Sequence, residues 1–197
     1  MNDLLAMNDL LLLSPYLRQA LNALVTAGSV LVCLLILPTR FVGMELLGVG
    51  PNWLLIWVVA WSIKRSPWQG AIAGITLGLL QDGMTASSPT HTLSLALVGI
   101  LTALIQKQRY IQEDFISVAL IVFGMAVIAE TVTAFQFMLQ DLRVPDRLSS
   151  RTLSEIWNYH QQIALCSAIL SSLWAPVLYY PLNRWWQRVS LADQFQT

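Results

Sequence analysis

The chain has 197 residues, 56% of them hydrophobic and 11% charged, with no net charge, whereas a soluble domain carries about 25% charged residues. This composition excludes a water-soluble globular domain and predicts a membrane protein whose chemistry sits in or beside the bilayer. The 11 basic residues are scattered along the chain, which excludes a nucleic-acid footprint.

The chain opens on "MNDLLA" followed at once by "MNDLLL", read as a duplicated or alternative start at Met7. Asp3 and Asp9 come before the first apolar run, at about 20 to 38, and no A-x-A-like site follows it. That run is therefore expected to be a retained anchor rather than a cleaved signal. The second run, 51 to 63, places Trp53, Trp57 and Trp61 every four residues as one aromatic stripe. Trp57 lies too deep for an interfacial belt, and its indole N–H needs a buried acceptor, so this face is expected to meet protein. In the third run, 67 to 80, "GAIAGITLG" aligns Gly70, Gly74 and Gly78 on one helix face. A second backbone can approach such a groove closely. Its occupant is either the helix from 92 to 105, where Gly99 and Ala103 repeat the small-residue spacing, or a helix of a partner.

Runs at 92 to 105, 115 to 139 and 161 to 180 complete six candidate transmembrane helices. Three of the six have only 13 or 14 residues, roughly 20 Å against a hydrocarbon core of about 30 Å. The middle of the protein is expected to be short, tilted or re-entrant. Thr152 and Glu155 form a T-x-x-E capping box that starts the last helix near 153. Pro176 is expected to kink that helix, and Pro181 with Trp185 and Trp186 to mark its interfacial end. Trp68 and Tyr110 read as further interfacial anchors.

With the N-terminus inside, the cytoplasmic side collects Arg18, Lys64, Arg65, Lys107, Arg109, Arg184 and Arg188, and the outer side Arg40, Arg143, Arg147 and Arg151. The balance favours both termini in the cytoplasm. The expected division is a cytoplasmic segment over 1–19, a single transmembrane helical domain over 20–184 and a cytoplasmic tail over 185–197.

Few polar residues stand out against this background. Cys33 and Cys166 lie in apolar runs without metal-ligand spacing, so no disulfide or metal role is expected. Asp82 and His91 flank a Ser/Thr/Pro loop between two apolar runs. A carboxylate at a helix C-terminus or an imidazolium at a helix N-terminus is disfavoured by the dipole. Each is more comfortable paired with the other, or with Asp82 accepting from N–H groups near Thr90 to Thr92. The loop reads as a polar lock closing a short membrane hairpin, with a ligand or proton site as the other possibility. Glu130 lies well inside its run and should face the bundle interior, as an interhelix hydrogen bond or as a ligand or partner contact. His91 and His160 are unaccompanied by an activated nucleophile, an H-E-x-x-H or a phosphate-cradling loop, so neither an enzyme nor a cofactor is expected.

From Pro51 to about Leu104 several short motifs follow one another. "PN" at 51 and 52 opens a short helix, a basic turn with Pro67 follows, glycines lead into "GLLQD" at 78 to 82, and His91 opens the next apolar helix. This resembles the rod shape-determining MreD family, with Asn52 where Asp is usual and "SSPTH" in place of a glycine-containing loop. The resemblance implies an all-α polytopic protein of the bacterial inner membrane, similar in fold to the substrate-binding subunits of energy-coupling-factor transporters. It implies a non-enzymatic scaffold of the wall-elongation machinery, with MreC-type proteins as partners and, through them, an MreB-like filament and wall synthases. On this view the glycine groove and the Trp face help dock a partner helix, while Asp82 and His91 shape the outer hairpin. The alternative function is the substrate-binding membrane subunit of a vitamin-type transporter, with Asp82, His91, Glu130 and His160 lining an outward pocket.

Overall fold

Ser14 and Pro15 start the first helix through ordinary capping chemistry: the Ser14 hydroxyl accepts from the Leu17 N–H at 3.4 Å, and Pro15 occupies the first turn, where its missing N–H costs nothing. The computed structural model describes residues 14–39, 43–85, 89–106, 114–143 and 153–194, with only the backbone described at 106, 141–143 and 153–160. Among the described residues six helices follow in chain order: α1 (Pro15–Ile36), α2 (Trp53–Ser62), α3 (Pro67–Thr85), α4 (His91–Gln106), α5 (Phe115–Arg143) and α6 (Leu153–Gln194). Three of them, over Pro15–Ile36, Phe115–Gln140 and Gln161–Gln194, are long and apolar enough to cross a membrane.

The shortest helix is the centre of the fold. α2 reads WLLIWVVAWS and has no polar face, and a helix apolar on every side must be surrounded. It packs against each of the other five helices, and Leu54 to Ala60 are all buried. Asn52 caps it, its side-chain oxygen accepting from the Leu55 N–H at 3.0 Å. The rest of the core gathers around α2 from Cys33 of α1, Leu95 and Val98 of α4, Val122 and Met125 of α5, and Ala175 and Tyr179 of α6. Cys33 and Cys166 are free thiols.

α3 and α4 form a hairpin pressed backbone to backbone. A β-carbon at Gly70 would collide with the carbonyl of Gly99, at Gly74 with that of Leu95, and at Gly78 with the backbone of Thr92. The glycine groove is thus filled by α4 of the same chain, which removes it from the surfaces a partner can use. A capping box between Ser66 and Gln69, each N–H donating to the other's side chain at 3.2 and 3.4 Å, fixes the start of α3.

Two boundaries differ from the sequence reading. α3 runs to Thr85 rather than ending near 80, so Asp82 lies within its last turn. α6 begins at Leu153, where the capping pattern places it, but continues through Pro176 and Pro181 to Gln194. Pro181 therefore does not end the helix. Proline is tolerated in membrane helices when neighbouring groups take up the freed backbone positions. The N-terminal repeat, Arg40, Lys107, Arg109, Tyr110, Asp146, Arg147, Arg151 and Thr152 lie outside the described residues, as do the side chains of Asp141, Arg143, Glu155 and His160.

Candidate functional site

The hairpin of α3 and α4 brings Asp82 and His91 together. Asp82 Oδ1 accepts the His91 backbone N–H at 2.7 Å and lies 3.0 Å from the ring Nδ1, which must donate because a carboxylate only accepts. Oδ2 accepts the Thr92 hydroxyl at 2.8 Å and the Thr92 N–H at 3.3 Å. The carboxylate is thus the N-terminal cap of α4, supplied from the opposite helix. Its charge faces the positive end of the α4 dipole, which offsets its unfavourable place in the last turn of α3.

Among the described residues Glu130, on α5, makes no hydrogen bond to another helix. It lines a cavity of about 280 Å³ with Thr131 and Ala134 of α5 and Gln161, Ala164 and Leu165 of α6. Asp82 and His91 therefore meet at the tip of the short hairpin, while Glu130 lines a cavity between α5 and α6.

The Trp stripe of α2 is spent on contacts within the chain. Trp57 is 4% exposed, and its indole N–H donates to Ser29 Oγ of α1 at 2.8 Å. Trp53 meets Trp174 at 5.6 Å, while Trp61 stacks on Trp57 at 5.5 Å and meets the edge of Trp186 at 5.0 Å. Trp185 and Trp186 reach back to Asn22 and Thr26 of α1. This face packs on α1 and α6.

Other connections carried no separable signal in the sequence. The Asn52 N–H donates to Ser171 Oγ at 2.9 Å, fixing the start of α2 against α6. Arg18, 1% exposed, pairs with Asp193 at 3.3 Å and joins the first turn of α1 to the end of α6. In the sequence Arg18 counted only as a topological charge, because its partner is more than 170 positions away.

A family profile described as rod shape-determining protein MreD matches residues 18–189 of this chain. The chain belongs to the MreD family. MreD proteins are shape-determination proteins, not a known enzyme family, and the apolar helices agree with a membrane protein in that role. The matched range takes in the Asn52 cap, the Gly70–Gly99 contact and the Asp82–His91 pair. The departure from the usual MreD pattern at Asn52 keeps the local chemistry, since Asn and Asp cap a helix about equally well. No curated protein and no solved structure matches the chain.

Proposed function

We propose that this MreD-family protein is a non-enzymatic scaffold of the bacterial wall-elongation machinery. It lies in the cytoplasmic membrane with both termini inside and holds an MreC-type bitopic protein by helix contacts. Through that partner it acts on an MreB-like filament and the wall synthases. The observation that carries the reading is the family match over residues 18–189. Counting α2, α3 and α4 with the three long helices gives six passes, an arrangement similar to the substrate-binding subunits of energy-coupling-factor transporters.

Two features of the site support a scaffold. The oxygens of Asp82 are taken by donors of the same hairpin, an arrangement that fixes backbone rather than presenting a reactive group. The cavity beside Glu130, at about 280 Å³ and largely apolar in its lining, falls at the small end of ligand pockets. That suits packing or lipid better than recognition of a polar vitamin.

With the glycine groove and the Trp stripe occupied from within, a partner helix must use an outer face. On α1, Leu24, Leu31 and Leu35 are exposed, and Gly28 between them has open space beside it. The 24, 28, 31, 35 spacing makes one stripe with a small residue at its centre, suited to close helix approach.

The test is purification of the tagged protein from its own membranes in a gentle detergent, with mass spectrometry of what accompanies it. An MreC-type protein is expected, and Gly28→Leu is expected to reduce its recovery severalfold. Recovery of paired ATPases with a coupling membrane subunit would replace the scaffold reading by a transporter one.

A further inference from the structure

α5 and α6 pack side by side and contain the two longest apolar spans, Phe115–Gln140 and Gln161–Gln194. Between them opens a cavity of about 280 Å³, walled by Val127, Glu130, Thr131 and Ala134 on one side and by Gln161, Ala164 and Leu165 on the other. We infer that this cavity receives one basic side chain, Lys or Arg, carried on a transmembrane helix of a partner protein. The site is separate from the α1 stripe and does not depend on which protein carries that helix.

Glu130 sets the chemistry. It stands ten positions before Gln140, the end of its span, about 15 Å along the helix, where a carboxylate is expensive unless a cation or a proton neutralises it. Among the described residues it has neither a hydrogen bond nor an ion pair. The polar groups beside it accept rather than donate. Thr131 gives its hydroxyl proton to the Val127 carbonyl at 2.7 Å, which leaves its oxygen only lone pairs to offer, and the Gln161 amide adds a carbonyl oxygen. Acceptors gathered on one space call for an occupant made of donors, and an ammonium or guanidinium is a donor only.

Size and opening determine how that occupant arrives. A volume of about 280 Å³ lies below the roughly 300 Å³ at which ligand pockets begin, room for one long side chain. The mouth is lateral, since Thr131 and Leu165 are exposed. One turn further along, Phe135 of α5 and Ile169 of α6 are 59% and 48% exposed, and residues four apart share a helix face. The rim is thus apolar surface on two helices long enough to cross a membrane. A free cation would have to pass through lipid to reach it, whereas a side chain on a neighbouring helix would not. Gly124, seven positions before Thr131 and so on the same face, has open space beside it, which lets a second backbone come close.

A second copy of this chain does not supply the cation. Arg184 and Arg188 stand at least 19 positions beyond Leu165 on α6. Arg18 pairs with Asp193 at that same far end, and Lys64 and Arg65 border a cavity there with Asn183 and Gln187. In the same orientation, a second copy brings none of the described Lys and Arg side chains to the level of Glu130.

The experiment places the full chain in phosphatidylcholine vesicles with a photo-cross-linking residue at Ile169. A synthetic helix of about 20 Leu and Ala residues, long enough to span, is added with one Lys at its centre, one Glu there, or neither. The Lys helix is expected to be captured about tenfold more than the all-apolar one, and the Glu helix no more than it. Glu130→Gln keeps the size and loses the charge, and should remove the preference. Ala164→Trp fills the cavity with the carboxyl in place and should remove it too, which carries the test if the first variant folds poorly. Equal capture of the Lys and all-apolar helices, or a Lys preference that survives Ala164→Trp, would overturn the site. Capture of the Glu helix as strongly as the Lys helix would mean a shared proton and overturn the basic occupant. A cross-link between two copies of the chain with no helix added, lost in Glu130→Gln, would give the cavity to self-association and overturn the assignment to another protein.

Discussion

Asp82 Oδ1 receives both the backbone N–H of His91, at 2.7 Å, and its ring nitrogen, at 3.0 Å. One carboxylate near the end of α3 thereby caps the helix into which α3 turns back. Asp82→Asn keeps the size but loses the charge and sets an amide against the donors. Replacing a charge-assisted, partly buried acceptor of this kind is expected to cost about 2 kcal/mol. Thermal unfolding in detergent, together with membrane abundance, checks this. Unchanged stability with lost function would turn the pair from a structural closure into a ligand or proton site.

Glycines in this chain divide sharply by what lies beside them. At Gly74 a side chain would meet the Leu95 carbonyl, whereas Gly124 of α5 has open space around it. Gly74→Leu must force α3 and α4 apart and is expected to cost more than about 3 kcal/mol, or to abolish accumulation in the membrane. Gly124→Ala is expected to be neutral or to stabilise by up to about 1 kcal/mol. Unfolding curves of the two variants give the contrast directly.

Trp57 and Ser29 offer a double-mutant cycle. Polar contacts between membrane helices are worth about 0.6 kcal/mol on average and at most about 1.7. Trp57→Phe and Ser29→Ala should therefore show a coupling energy in that range, with the double variant less destabilised than the sum of the single ones. A coupling of zero would mean that the 2.8 Å contact contributes nothing to holding α1 on α2.

The helical runs were legible because apolar stretches bounded by polar turns define them without reference to the rest of the chain. The nearness of Asp82 to His91 was legible for a similar reason: a short loop between two helices leaves its flanking residues few places to go. What composition concealed was placement in three dimensions. A run of 13 apolar residues at 51 to 63 looks the same whether it faces lipid or five helices. The Trp stripe likewise announced a protein contact without naming its partner, which is Ser29, Trp174 and Trp186 of the same chain. Pro181 is a local signal for a helix end, yet α6 continues through it to Gln194, because a membrane helix tolerates proline where neighbouring groups take up the freed backbone positions. The Arg18–Asp193 pair depends on residues far apart in sequence, and no local spacing announces it.

The central position of α2 bears on how the protein is made. Ten residues extend about 15 Å, half of a hydrocarbon core, so this segment gains little from entering lipid alone. Its buried face is completed by α6, more than 90 residues further along the chain, whose Ser171 receives the Asn52 N–H and whose Trp174 and Trp186 close over the indoles. The hub lies early in the chain and its last wall lies late. Until α6 arrives, the nascent chain holds its most apolar element with four of its five neighbours, so a ribosome that stops before residue 171 leaves the hub of the fold without its fifth wall.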